Sequence, residues 1–309
     1  MAETDLYEQI IAAVDQLYGG ARDGQRALHT KGAWCEGMFT PTPEAASLSR
    51  AFHLRGDPVT ALARFSNAGG HPHAHDAERE ARGLAVKLRG SEGEEIDLLG
   101  TTAPAFVVRT PEDFLELMRL RRPDPETGQP DFEKLGAFLV QHPEATVAVQ
   151  GTLNVEPLES LATATYYSPH TFWLVDGDGE RRAVRFRWVS EAGEHRIPDD
   201  EARERGPDYL YEDLGRRLAA GRIAFELRFQ LPIADDPLDD ATALWPDDRE
   251  FVSAGRLELA SQVDDPEGDG HIEVFDPTRL PDGIEASDDP ILHARPKAYS
   301  VSAYRRLDD

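Results

Sequence analysis

Residues 223–231 alternate in a strict two-residue rhythm. Ile223, Phe225, Leu227, Phe229 and Leu231 are separated by Ala224, Glu226, Arg228 and Gln230. Successive side chains of a strand point to opposite faces, so this rhythm buries one face and leaves the other wet. Val184, Phe186 and Trp188 alternate with Arg185 and Arg187 in the same way, and Val59, Ala61, Ala63 and Phe65 make a third run. Half-buried strands of this kind suit an antiparallel sheet or barrel, because parallel strands are covered on both faces and read as continuous apolar runs.

Helices are interspersed among the strands. Residues 3–18 place Leu6, Ile10, Val14 and Leu17 on one helical stripe, which Gly19 and Gly20 then end. Thr110 precedes Pro111, Glu112 and Asp113, which reads as an N-cap, a proline at the first helical position and an acidic first turn. Leu210, Leu214 and Leu218 form a further stripe that stops at Gly221, while residues 143–150 fit strand or helix by pattern alone. Without a regular βαβ rhythm the fold class is α+β. The proline- and acid-rich stretches 121–130, 232–248 and 264–270 read as surface connections. None is long enough to mark a boundary, so residues 1–309 are expected to form one domain.

The net charge of -25 excludes nucleic acid and anionic membranes as partners, since both would be repelled. No apolar run approaches the roughly 18 residues of a membrane span. The N-terminus is acidic and amphipathic and is not a signal peptide, so a cytoplasmic location is expected. The single cysteine, Cys35, rules out a disulfide framework and reads as a small buried hydrophobe.

Three segments carry chemistry. The first is Arg26-Ala27-Leu28-His29-Thr30-Lys31-Gly32. The second runs from Arg64-Phe65-Ser66-Asn67-Ala68-Gly69-Gly70 through Arg82-Gly83-Leu84-Ala85-Val86-Lys87 to Asp97-Leu98-Leu99-Gly100. The third runs from Phe275-Asp276-Pro277 through Gly283-Ile284-Glu285-Ala286-Ser287 to Arg295-Pro296-Lys297-Ala298-Tyr299. In this order and spacing they resemble the catalase family, as do Ser168-Pro169-His170-Thr171-Phe172, Pro207-Asp208-Tyr209 and Leu244-Trp245-Pro246. Each motif alone is weak, but the ordered set covers residues 24–306. The chain stops soon after Tyr299, which likens it to the compact, catalase-related peroxidase branch. The resemblance therefore implies a catalase-like antiparallel eight-stranded β-barrel with surrounding helices, lacking the long N-terminal arm and C-terminal helical region of full-length catalases. With no arm to exchange, a monomer or homodimer is expected.

The same resemblance implies haem, with iron ligated by Tyr299. Arg295, one helical turn earlier, would hold the phenol ionised against its ordinary pKa of about 10. It implies that His29 is the distal base that moves a proton between the two peroxide oxygens, giving an oxyferryl state, with Ser66 orienting its ring. Arg26, Arg64 and Arg306 match residues that bind the haem propionates. Phe106 and Phe114 match pocket aromatics, and His170 with Asp289 matches a pair that supports the arginine beside the axial tyrosine. Thr101 stands where the family has a distal asparagine, and Leu28 where a valine is usual. These departures, with a more accessible haem, predict a peroxidase acting on hydrogen peroxide and organic hydroperoxides with a small organic electron donor, and only weak catalase activity. Two rival readings use the same residues: a rearrangement of hydroperoxides like that of allene oxide synthases, and a non-enzymatic haem carrier. His71, His73 and His75 could face one way on an extended segment, but no fourth ligand accompanies them. They read as a solvated loop near the pocket entrance.

Overall fold

The computed structural model describes residues 3–22, 24–267 and 271–307. The strands are β1 (Gly32–Pro41), β2 (Val59–Asn67), β3 (Arg82–Arg89), β4 (Glu95–Thr101), β5 (Tyr166–Tyr167), β6 (Phe172–Val175), β7 (Arg181–Ser190), β8 (Ile223–Gln230), β9 (Phe251–Val263) and β10 (Ile284–Ala286). The helices are α1 (Glu3–Leu17), α2 (Pro111–Arg121), α3 (Phe132–Gln141), α4 (Pro143–Leu153), α5 (Asp199–Glu204), α6 (Tyr209–Ala220) and α7 (Pro290–Leu307). Pairing runs β1–β2–β3–β4–β5–β7–β8–β9 and returns to β1, antiparallel throughout. The result is an eight-stranded closed barrel, and β6 and β10 continue the sheet from β7.

The alternating segments lie where their rhythm places them. Phe65, Phe225 and Trp188 point into the barrel with Phe39 and Tyr166, all five fully buried. Phe65, Tyr166 and Phe225 meet at ring centroids about 6 Å apart, and Trp188 stands edge-on to Phe39. Truncating any one of these rings would cost about 3–5 kcal/mol. A second core forms outside the barrel, where Tyr7, Ile10, Ala13 and Val14 of α1 meet Leu115, Leu117 and Met118 of α2, Phe138 of α3 and Ala294 of α7. The apolar stripe of α1 thus packs into the body of the molecule.

Local capping follows the sequence signals. Thr110 Oγ1 accepts the Asp113 N–H at 3.1 Å, and Pro111 opens α2. Residues 143–150 belong to α4, opened by Pro143, whose ring suits a first helical turn and not a sheet ladder. The stretch 232–248 is irregular, as its composition suggests, but it is not wholly at the surface. Ala241, Thr242 and Trp245 are buried, and the Trp245 indole N–H donates to the Pro237 carbonyl at 2.8 Å. Residues 268–270 of the third connecting stretch lie outside the described residues. Cys35 is free and buried, and burial pushes its thiol up to about 12. Among the described residues no helix is long and apolar enough to cross a membrane.

His53 is an exception to the apolar interior. It is buried between Phe39 and Phe52, and neither ring nitrogen has a partner. Burial drops its pKa from 6.5 to about 3. The unfolded chain therefore binds a proton that the folded chain refuses between these two values. Stability is complete above the unfolded pKa and falls with acidification by about 1.4 kcal/mol per pH unit for this group. Thermal melts of the apoprotein should decline less steeply from pH 6 to pH 4 in His53→Leu than in the parent. Parallel declines would show that the His53 ring is hydrated.

Candidate active site

Antiparallel register lines up side chains across β1–β4. Gly32 pairs with Ser66, Ser66 with Gly83, and Gly83 with Thr101, forming one row on the outer face of the barrel. The next row is Trp34, Arg64, Ala85 and Leu99, followed by Lys87 and Asp97. The helices of the outer core cover this face, and a cavity of about 260 Å³ lies between them. His29, Arg26, Arg64, Ser66, Thr101, Phe106, Phe114, Arg295, Tyr299 and Arg306 all line it. All ten proposed catalytic and haem-contacting residues therefore converge on one cavity, though they come from loops, strands and helices spread over the chain.

On the barrel side His29 holds a backbone conformation that side-chain-bearing residues rarely adopt, with φ of 57°, alone among the described non-glycine residues. Its carbonyl accepts an N–H from Arg64 Nη1 at 2.8 Å, and the Thr30 carbonyl accepts one from Arg64 Nη2 at 3.1 Å. The His29 N–H donates to the Ala68 carbonyl. These bonds fix a strained turn, as is common where a reactive side chain must be aimed. Each Nη group thus gives one of its two N–H bonds to this turn, and Nε is buried and unpartnered, so the guanidinium braces the turn and still has donors to offer a propionate.

His29 Nδ1 and Ser66 Oγ lie 2.9 Å apart. Burial, then repulsion from Arg64, Arg295 and Arg26, lowers the His29 pKa to about 3, so the ring is neutral at physiological pH. Gly83 makes the pairing possible. A Cβ there would lie 2.7 Å from Ser66 Oγ and 3.2 Å from His29 Nδ1. The motif named this glycine without showing what it was for. Thr101 Oγ1 accepts the Ala103 N–H at 2.9 Å and is folded back into a local turn. Phe106 and Phe114 meet with tilted rings, centroids 5.6 Å apart.

On the opposite side, α7 carries Arg295 and Tyr299 one turn apart, and Arg295 Nε donates to Tyr299 Oη at 2.8 Å. Nearby, His170 Nδ1 lies 2.6 Å from Asp289 Oδ2, with both side chains buried. Burial lowers the His170 pKa to about 4 despite the opposing pull of Asp289, and Arg295 lowers it further. Three contributions were missed by sequence reasoning. Tyr7, Ile10, Ile11 and Val14 show that α1 roofs the cavity. Trp34 lies under both Arg26 and Arg64, at 5.7 and 5.4 Å. Glu267 binds Arg26 and Arg306. The amphipathic stripe of α1 could have signalled the first; no local pattern signals the others.

The histidine loop does not take part. His71, His73 and His75 do not line the cavity, and the rings of His71 and His75 accept N–H groups of their own loop. Among the described residues no cluster of three His, Cys, Asp or Glu suits a metal. Lys31, which flanks His29, pins this loop through Asp76 at 2.7 Å.

The Catalase family model matches residues 14–309. The chain belongs to the catalase family. It is similar to the catalase-related peroxidase of Mycolicibacterium paratuberculosis, 37% identical over 297 residues that cover 95% of this chain and 93% of that protein. The catalase-related peroxidase of Synechococcus elongatus is 32% identical over 299 residues, covering 97% and 88%. A fungal catalase structure shares the fold with a TM-score of 0.80 at 24% identity, over 93% of this chain and 60% of that one. Catalase A from Saccharomyces cerevisiae gives 0.79 at 24% identity over 92% and 61%. This chain therefore spans about 60% of the length of these two solved catalases.

Catalase-family proteins bind haem, and the cavity of this member suits it. The walls are mostly apolar, with Leu28, Val274, Phe275, Ile291, Ala294 and Ala298 among them. At one edge Arg26, Arg64 and Arg306 converge, and Nε of Arg64 and of Arg306 is buried without a partner. Burial first, and then repulsion from Arg64, lowers the Arg26 pKa to about 10. Such a cluster calls for an anion, and propionates are of that kind. In haem-loaded protein, Gly83→Ala should keep the haem spectrum but react with hydrogen peroxide at least tenfold more slowly in stopped-flow mixing. An unchanged rate would mean that the Ser66–His29 contact does not matter to the reaction.

Proposed function

We propose that this chain is a haem-dependent peroxidase that reduces hydrogen peroxide and organic hydroperoxides at the expense of a small organic donor, with weak catalase activity. The observation that carries this reading is the convergence of two oppositely prepared groups on one cavity: Tyr299, with Arg295 Nε on its phenol oxygen, and His29, kept neutral and held on Ser66. Tyr299 would bind the iron through its phenol oxygen, which Arg295 Nε orients by its hydrogen bond. Bound haem would supply the two-electron oxidation chemistry that no side chain here provides.

The protein's part is proton handling and access. With Nδ1–H donating to Ser66 Oγ, the Nε2 lone pair of His29 is free to accept a proton from the inner peroxide oxygen. The same nitrogen then delivers it to the outer oxygen, so that water or an alcohol leaves. A base with its pKa near 3 returns that proton readily. Arg26, Arg64 and Arg306 would meet the propionates, while Phe106, Phe114 and Leu28 present apolar surface to the substrate side. Such surface suits a bulky organic hydroperoxide. Efficient dismutation requires a second hydrogen peroxide to be oriented beside His29. Thr101, whose side chain is shorter than an asparagine's and whose oxygen turns toward the Ala103 N–H, is poorly placed to do so in place of an asparagine amide.

Steady-state assays with cumene hydroperoxide and a phenolic donor should show donor oxidation outpacing the oxygen released from hydrogen peroxide alone. Turnover dominated by oxygen release would overturn the assignment. Rearranged hydroperoxide without donor consumption would point to the allene-oxide-synthase-like chemistry. His29→Ala should retain the haem spectrum and slow the spectral response to peroxide about 100-fold or more, whereas a haem carrier would be indifferent to it. Thr101→Asn should raise oxygen release at least severalfold relative to donor oxidation, as read by an oxygen electrode.

A further inference from the structure

Glu267 occupies a position that none of the matched motifs includes. Its Oε1 accepts from Arg26 Nη2 at 2.5 Å and its Oε2 from Arg306 Nη1 at 2.7 Å. The Glu273 N–H also donates to Oε1, at 3.0 Å, and the Glu273 carbonyl accepts from Arg26 Nη2 at 2.8 Å. One carboxylate therefore ties an arginine from the loop before β1 to an arginine on α7. Its side chain is 16% exposed, and Arg306 is 5% exposed.

Glu267 is not among the residues lining the cavity, whereas both arginines are. It holds Arg26 and Arg306 through Nη atoms, and the Nε groups left without partners in the cluster belong to Arg306 and Arg64. Glu267 takes one Nη of each arginine, so both guanidiniums, which belong to residues lining the cavity, have further N–H groups that it does not use. Charge leads to the same conclusion. Three guanidiniums would outnumber two propionates, and Glu267, bonded to two of them, supplies negative charge against the excess. The pKa shifts agree, since Glu267 supports the charged forms of Arg26 and Arg64 against burial and against repulsion by Arg306.

We propose that Glu267 is a haem-retaining residue, an outer counter-ion that positions Arg26 and Arg306 so that their remaining donors meet the propionates. This inference rests on the haem reading given above. Glu267 works through the arginines and does not touch the cofactor, so it is a positioning residue. It fastens the segment before β10 across the propionate edge, joining elements from both ends of the chain.

The test uses the haem-loaded protein and follows haem transfer to excess apomyoglobin. Glu267→Gln keeps the shape and the acceptor for Glu273 N–H but removes the charge. It should release haem about tenfold faster than the parent, and Glu267→Asp should recover part of the difference. Haem dimethyl ester, which lacks propionate charge, should leave parent and Glu267→Gln at equal rates. Equal rates for haem itself, or equal acceleration for haem and its ester, would reduce Glu267 to a loop-stabilising residue and overturn the proposal. Slower release from Glu267→Gln would mean that the carboxylate competes with the propionates, which also overturns it. Failure of the parent reading would show separately, as a parent protein with no Soret band after reconstitution, and would overturn both.

Discussion

Register across β1–β4 is the constraint from which the site follows. A slip of one residue between neighbouring strands would turn Arg64, Ser66 and Thr101 inward and Phe65 outward. Closure of the barrel forbids such a slip, because the aromatic interior accepts only one set of faces. The outer rows then present Ser66, Gly83 and Thr101 at one level and Trp34 and Arg64 at the next. Every group on the barrel side of the cavity takes its position from these rows. His29 lies on no strand, but Arg64 and Ser66 hold it to them.

The electrostatics are those of a cationic pocket inside an acidic protein. Arg26, Arg64, Arg295 and Arg306 gather around a cavity although the chain carries a net charge of -25. Burial first, and then the field of Arg64, Arg295 and Arg26, keeps His29 neutral, which a proton shuttle needs. The cluster must also be held in place. Trp34 lies beneath two of the guanidiniums, and it stacks on Phe275 at 5.6 Å. Lys87, fully buried, sits over Phe275 and pairs with Asp97 at 2.6 Å. Removing one partner from such a buried pair costs about 3–5 kcal/mol, so this network fixes the segment that carries Glu273 and Phe275.

Neutral histidines recur in this fold with different partners. His29 has Ser66, His170 has Asp289, and His53 has none. Burial dominates in each case and lowers the pKa to about 3 or 4. Below pH 6.5 all three therefore oppose folding, since the unfolded chain takes up protons that the native state refuses.

The sequence by itself determined three of the strands, the α+β class, the N-cap at Thr110 and the family. Alternation at 59–65, 184–188 and 223–231 depends only on which face each side chain must bury, and the ordered motifs survive as local strings. It also named ten residues around the cavity, six of them within such strings. Tertiary structure decided the rest. The strained turn at His29 is imposed by Arg64 and Ala68 from another strand, so no local pattern encodes it. Arg64 reads only as a propionate ligand in isolation; the fold shows that it also braces that turn through both Nη groups. The need for glycine at 83 arises only when Ser66 and His29 arrive beside it. Glu267 acquires meaning only when residues 241 and 39 positions away in the chain close on one carboxylate. Contacts of that kind depend on which faces meet in space, and one-dimensional spacing carries no record of them.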